Sequence, residues 1–171
     1  MAETNPRLMN QKAVGKFAQT SGGSGLLFSE ILTKVNNAKD KTKKIAVLRE
    51  NNTSELRMIL KGAFDPKIEW DLPEGSPPFM PNEVPIGTEH TYLRQETKRL
   101  YRFVKGGDNT LSKAKKETLF IQMLEGLHID EANLLLNVKD KKLNKVYKGL
   151  TESVVKEAFG WNDDFVQPVQ K

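Results

Sequence analysis

The sequence contains no cysteine and only two histidines among its 171 residues. Without cysteine, the chain has no disulfide, no thiolate nucleophile and none of the common cysteine-based zinc sites, which fits a reducing compartment. No apolar run approaches the ~20 residues that a membrane helix requires. The first residues also lack the apolar core of a secretory signal. We therefore expect a cytoplasmic protein that has no membrane partner.

Catalytic signatures are missing as well. Neither His90 nor His128 stands in a catalytic or metal-binding motif, and no Walker, Rossmann or nucleophile-elbow pattern occurs. The glycine-rich run 20–25 follows no predicted strand and precedes no Lys-Ser/Thr pair, so it is not a phosphate-binding P-loop. Closely spaced acids in 65–74 lack an accompanying histidine or a nuclease-type Glu-x-Lys. We expect no enzyme activity, no catalytic residues, no metal site and no cofactor.

The charge of the chain is positive and unevenly distributed. The net charge is +5 and the isoelectric point is near 9.3, which favours an anionic partner. Residues 139–148 hold five lysines and one aspartate, whereas residues 64–90 hold six acidic residues and one lysine. Scattered lysines on helices can equally form a solvated face, so the charge pattern alone leaves both interpretations open.

Apolar spacing predicts an all-α protein, a single compact domain of six or seven helices. In the fourth helix the spacing places Tyr101 inward and Arg94 outward. No alternating strand pattern of useful length occurs. The predicted helices cover about 26–37, a second one capped by Asp40, a third capped by Thr53 or Ser54, a fourth from Thr88 to about Lys105, a fifth from Ser112 to Leu124, a sixth from about Asp130, and a last one over Thr151–Phe159.

Composition divides the chain into three parts. Residues 1–25 are polar and end in a Ser/Gly-rich run, which predicts a flexible arm with a short helix around Lys12–Ala18. Residues 26–160 form the helical domain, and 161–171 form a tail. Within the domain, 64–88 contains six prolines, so it cannot be a continuous helix. Its remaining apolar residues predict an ordered loop draped on the core.

The stretch Lys139–Gly160 carries the strongest functional signal. A lysine-rich loop turns at Gly149 and enters a short helix near Thr151. Backbone N–H groups at a helix start can donate to a phosphate oxygen, and lysines attract the phosphate backbone without reading the bases. The lysine loop contains no arginine, which argues against bidentate reading of guanine and for weak sequence specificity.

Several segments together resemble a known family. Gly149–Phe159, with the leucine-rich Leu134–Val138 and the basic loop before it, resembles the end of the N-terminal DNA-binding domain of ATP-dependent DNA ligases. Leu27–Val35, the Lys39–Lys44 turn and the helices up to the Asp65-Pro66 step resemble its opening. The likeness spans roughly residues 26–160. The ligase adenylation motif Lys-x-Asp-Gly is absent, and we expect no room for the catalytic domains, so the resemblance implies a stand-alone DNA-binding module.

In that family the domain grips duplex DNA across the minor groove, largely through phosphates and sugars. The resemblance therefore implies a non-catalytic DNA-binding protein acting in replication, repair or recombination, with duplex DNA and a replication or repair protein as partners. For each lysine the alternative role is solubility, and for Gly149 it is a turn with positive φ. The candidate DNA-binding residues are Lys141, Lys142, Lys145, Lys148, Gly149 and Thr151, followed in second rank by Lys41, Lys43 and Lys44.

A second hypothesis assigns the function to the acidic, proline-rich loop 64–88. Exposed Trp70 and Phe79 would then serve as anchors in a protein-interaction or virion-assembly module. The chain also looks similar to small uncharacterised proteins of large tailed phages, which would place it in the host cytoplasm. The low aromatic content of the basic segments argues against binding of single strands by base stacking.

Overall fold

The computed structural model describes residues 26–85 and 90–168, and within them it confirms the all-α class. These residues form eight α-helices and one 3₁₀ helix, with two isolated β-bridges in place of any strand. The predicted arm 1–25, its short helix around Lys12–Ala18 and the cap at Thr88 lie outside the described residues. The elements are α1 Phe28–Asn37, α2 Lys41–Glu50, α3 Ser54–Phe64, α4 Leu93–Glu96, the 3₁₀ helix Thr97–Phe103, α5 Lys113–Gly126, α6 Ile129–Lys139, α7 Leu143–Val146 and α8 Glu152–Phe159.

Four helices begin where the sequence predicts, each at a capping side chain. An oxygen of the cap accepts the backbone N–H three residues further on, which satisfies one of the unpaired donors of the first turn. At the start of α3 the structure selects Thr53 rather than Ser54. The four pairs are Asp40 with Lys43 (2.9 Å), Thr53 with Leu56 (3.1 Å), Ser112 with Lys115 (3.2 Å) and Thr151 with Val154 (3.2 Å).

The core is one hydrophobic cluster with α6 at its centre. Leu134, Leu135 and Val138 are almost completely buried, as the apolar run in this helix predicts. Helix α6 packs against α1, α3 and α5, and α2 packs against α1 and α8. Helices α1, α2 and α8 therefore lie together, with α2 between the other two. No helix among the described residues has the length and hydropathy that a membrane span needs.

The predicted fourth helix is wrong in form. Instead of one α-helix up to Lys105, the described part has the four-residue α4 followed by seven residues of 3₁₀ helix. The buried residues Thr97, Leu100 and Phe103 are spaced by three. A 3₁₀ helix has three residues per turn, so this spacing puts all three on one row. Tyr101, predicted to point inward, is 52% exposed because it lies off that row.

The acidic loop is held against the helices by hydrogen bonds and ion pairs. Trp70 Nε1 donates to the Gly62 carbonyl (3.1 Å), and Lys116 Nζ of α5 donates to Asp71 (2.8 Å). The hydrogen bond from Lys116 lowers the pKa of Asp71. Buried Lys139 donates to the carbonyls of Pro73 (2.7 Å) and Gly75 (3.1 Å). Within 64–85, the prediction of an ordered loop on the core is confirmed.

A buried carboxylate joins the starts of three helices. Glu131, in the first turn of α6, is 1% exposed. Its two oxygens accept the backbone N–H of Phe28 at the start of α1 (3.2 Å) and of Leu93 at the start of α4 (3.0 Å). Arg94, predicted to point outward, instead donates to the Leu26 carbonyl (2.7 Å) and lies over the Phe28 ring. One side chain therefore fixes where α1 and α4 meet α6.

Burial raises the pKa of Glu131 to about 7, although the two N–H donors and Arg94 act in the opposite direction. A carboxyl group whose pKa is higher in the fold than in the unfolded chain stabilises the fold below its ordinary pKa, and that contribution is lost as the pH rises through the folded value. The window here is therefore about pH 4.5 to 7, and the shift corresponds to on the order of 3 kcal/mol.

We predict that Glu131→Gln lowers stability at pH 5, because the amide NH₂ group would face one of the two N–H donors. The difference in free energy of unfolding between wild type and variant should be about 2–3 kcal/mol larger at pH 5 than at pH 8. Urea unfolding at several pH values measures this. The matched control is Glu50→Gln at an exposed position. A difference that does not vary with pH would contradict the prediction.

Candidate nucleic-acid interface

Two of the sequence segments that carry the DNA-binding candidates meet at Gly149. Its N–H donates to the Asn36 side-chain oxygen at the end of α1 (2.8 Å). A Cβ on Gly149 would lie 2.6 Å from Lys44 Cε and 3.2 Å from the Asn36 carbonyl oxygen. Close packing therefore explains the glycine. The alternative of a positive φ is wrong, because Gly149 is not among the glycines with that conformation.

The lysines of α2 lie at the same junction. Lys41 Nζ donates to Ser153 Oγ in α8 (2.7 Å) and pairs with Glu157 (3.1 Å). Lys44 Nζ donates to the Ala38 carbonyl. Lys43 is exposed and, among the described residues, has no side-chain partner. Lys41 and Lys44 thus lie at the same junction as Gly149, and Lys43 is exposed on the same helix.

Helix α8 is held rigidly against α2 at this surface. The guanidinium of Arg49 donates to the carbonyls of Ala158 (3.1 Å) and Glu157 (3.0 Å) at the end of α8. Thr151 caps the start of α8 and is exposed.

The N–H of Gly149, expected to be available to a phosphate, is already donated to Asn36, which corrects that expectation.

Two lysines of the predicted basic loop lie elsewhere. Lys141 has a left-handed backbone (φ 60°), and its Nζ donates to the carbonyls of Gly62 and Asp65 (2.8 Å each) at the end of α3. Burial lowers its pKa. Lys142 pairs with Glu74 (3.0 Å), and that hydrogen bond raises its pKa. Both side chains are engaged with other parts of the fold, α3 for Lys141 and the acidic loop for Lys142, and their role as DNA contacts stays a prediction.

The other lysines of residues 139–148 also differ in their surroundings. Lys139 is buried within α6, pairs with Asp140 and helps to hold the acidic loop. Lys145 and Lys148 are exposed and lack side-chain partners within the described residues. Lys145 lies in α7, a four-residue helix that the sequence pattern did not predict. Lys148 directly precedes Gly149.

We call the resulting surface the basic corner and define it as Lys39, Lys41, Lys43, Lys44, Lys148, Gly149 and Thr151. Lys39 is exposed on the turn before α2. The sequence candidates did not include it, although it belongs to the same lysine-rich turn as Lys41, Lys43 and Lys44. Asp40 and Glu157 also lie here, and Glu157 offsets the charge of Lys41. Lys39, Lys43 and Lys148 therefore supply the uncompensated positive charge.

The described residues hold no group of three or more His, Cys, Asp or Glu that could bind a metal ion. His90 and His128 pack edge to face with ring centroids 5.1 Å apart. His128 Nδ1 accepts the N–H of Asp130 (3.1 Å) at the start of α6. These contacts give His128 a capping role at a helix start.

The geometry defines an all-α protein with a lysine-rich corner where two helices and a glycine turn meet. Residues 31–145 match a family of unknown function, DUF6433, and the chain belongs to that family. The matched region includes the α2 lysines and ends before Lys148. Comparison with curated proteins and with solved structures gave no match.

A pair of variants tests the structural role of Lys141. We predict that Lys141→Ala destabilises the fold by about 1–2 kcal/mol, because the α3 carbonyls lose a charged donor while the left-handed backbone stays. Lys141→Gly should be about 1 kcal/mol more stable than Lys141→Ala, because glycine adopts positive φ without strain. Chemical denaturation measures both. Equal stabilities of the two variants would contradict the strained backbone.

Proposed function

We propose that this is a non-catalytic DNA-binding protein that grips duplex DNA mainly through the phosphate backbone, with little sequence specificity, in replication, repair or recombination. The observation that carries the proposal is the basic corner. Lysines more than 100 positions apart in the sequence, Lys43 and Lys148, belong to segments joined by the contacts of Gly149 with Asn36 and Lys44.

The chemistry of the corner favours the backbone over the bases. Exposed lysines neutralise phosphates and release counterions, which gives affinity that depends steeply on salt. The guanidinium of Arg49, on the same helix as Lys43, donates through Nε and Nη2 to carbonyls of α8. Bidentate reading of guanine by arginine is therefore not favoured at this corner.

Likeness to the ligase DNA-binding domain supports the same proposal. This likeness is an argument from sequence alone. It rests on the order of the segments, from the Lys39–Lys44 turn to the Gly149 turn. A role without chemistry of its own follows from the absence of a Lys-x-Asp-Gly adenylation motif and of other catalytic signatures in the sequence. The partners that we propose are duplex DNA and a replication or repair protein, in the cytoplasm of a cell or of a phage-infected host.

A protein-interaction or virion-assembly role for the loop 64–88 is the second candidate. Its predicted anchors are not free: Trp70 and Phe79 are half-buried against the core, and the Trp70 ring nitrogen is bonded to Gly62. This corrects the expectation that both rings are exposed. Met80, 74% exposed, and Val84, 38% exposed, are large apolar side chains of the described loop that remain accessible. A partner that co-purifies after nuclease treatment would favour this role.

The test of the proposal compares two double variants that remove the same charge. Lys43→Ala with Lys148→Ala should weaken binding to random-sequence duplex about tenfold or more and reduce the slope of log affinity against log salt by about 2. Lys67→Ala with Lys105→Ala, at exposed lysines that pair with Asp164 and Glu69, should change duplex affinity far less. Fluorescence anisotropy measures both.

Two outcomes would refute the proposal. One is the absence of duplex binding by the wild-type protein at about 50 mM salt, where electrostatic binding is strong. The other is an equal loss of affinity in the two double variants, since that would show a dependence on total charge and not on the basic corner.

A further inference from the structure

The 3₁₀ helix Thr97–Phe103 divides its residues into three straight rows. With three residues per turn and a rise of about 2.0 Å per residue, side chains at i and i+3 lie above one another at about 6 Å. The row Thr97, Leu100 and Phe103 is buried. The other two rows, Lys98 with Tyr101 and Arg99 with Arg102, therefore face away from the core.

The outward rows hold Lys98, Arg99 and Arg102 beside Tyr101, with Asp108 in the electrostatic surroundings of Arg102. Between residues 97 and 105 the chain has four cations and no acidic residue. Lys98 is exposed and has no side-chain partner among the described residues. Arg99 pairs with Glu96 (3.2 Å), whose side chain is 13% exposed, and Lys105 pairs with Glu69 (3.3 Å), where solvent reaches both side chains. An exposed pair such as Lys105–Glu69 contributes little to stability.

Tyr101 stands in the middle of these cations and is 52% exposed. The backbone that follows it, at Phe103 and Lys105, is bonded to the acidic loop. The Phe103 carbonyl accepts the N–H of Asp71 (2.7 Å), and the N–H of Lys105 donates to the Glu69 carbonyl (2.8 Å). A Cβ on Gly107 would lie 1.9 Å from the Tyr101 carbonyl oxygen, so this glycine lets the following turn pack directly on the helix. The ring is thus presented from a rigid support.

We propose that this face, defined as Lys98, Arg99, Tyr101 and Arg102, binds single-stranded nucleic acid. An unpaired base stacks on the tyrosine ring while the flanking phosphates contact the cations, the combination that single-strand-binding proteins use. In a duplex the base faces are covered by their neighbours, so the ring has no access to them, whereas a single strand can offer one. An exposed tyrosine ring among cations therefore favours a single strand over a duplex as the ligand of this face.

This site lies apart from the basic corner. The 3₁₀ helix packs on α3 and α5, whereas the corner is built from α1, α2 and α8. The sequence argument against single-strand binding depended on the low aromatic content of the basic segments. Exposure of Tyr101 on a 3₁₀ helix removes that argument at this one position.

The test uses the full chain and a labelled oligothymidylate of about 15 nucleotides, a length that covers common single-strand site sizes. Tyr101→Ala should lower the affinity about 5- to 50-fold, because the stacking surface is lost. Tyr101→Phe keeps the ring and should bind like wild type. Lys98→Ala with Arg102→Ala should weaken binding and flatten its salt dependence. Thermal melting verifies that each variant is folded.

The basic-corner variant Lys43→Ala with Lys148→Ala distinguishes the single-strand site from the duplex site. It should retain single-strand affinity within about twofold while duplex affinity falls. Wild-type affinity in Tyr101→Ala, or an equal loss in Tyr101→Phe, overturns the stacking site. Failure of duplex binding with tyrosine-dependent oligothymidylate binding intact refutes the proposed duplex function alone. Equal weakening of duplex and single strand by Tyr101→Ala would assign the ring to a duplex surface and overturn this inference.

Discussion

The contact on which most of this fold depends is the acceptance of two helix-start N–H groups by the buried carboxylate of Glu131. An unpaired N–H in the core costs as much as a lost hydrogen bond, and an unpaired buried carboxylate costs more. Each group therefore needs the other. The cost of removing the carboxylate from water shows in its raised pKa. The charged partner Arg94 is itself held by the Leu26 carbonyl and the Phe28 ring, so the whole arrangement is fixed.

This arrangement reaches the basic corner through one helix. Phe28 is bonded at the start of α1 and Asn36 is bonded to Gly149 near its end, so a rigid element of ten residues, about 15 Å long, connects the two contacts. The position of the Gly149 turn is consequently set by the core and not by the lysines beside it. Arg49 then fixes the far end of α8. Lys41 and Lys44 add contacts within the corner, whereas Lys39, Lys43 and Lys148 have no side-chain partner among the described residues.

Short-range patterns predicted much of the fold, and long-range contacts decided the site. Asp40, Thr53, Ser112 and Thr151 are recognisable as caps because their partners lie three residues away. Lys141 cannot be assigned in the same manner, since its acceptors, Gly62 and Asp65, lie more than 70 positions earlier. The 3₁₀ helix was missed because apolar spacings of three and of four occur together in α-helices. Only the three-residue period of Thr97, Leu100 and Phe103 distinguishes the two geometries, and seven residues show it just twice.

The acidic loop explains where the positive charge of this protein remains available. Four of its residues hold lysines from other parts of the fold: Glu69 pairs with Lys105, Asp71 with Lys116, Glu74 with Lys142, and the Pro73 carbonyl with Lys139. Each contact neutralises or occupies a cation beside the loop. Lys39, Lys43 and Lys148 have no such partner within the described residues. The acidic loop thus removes positive charge on its own side of the fold, and the basic corner is one place where free lysines remain, with Lys98 and Lys145 elsewhere.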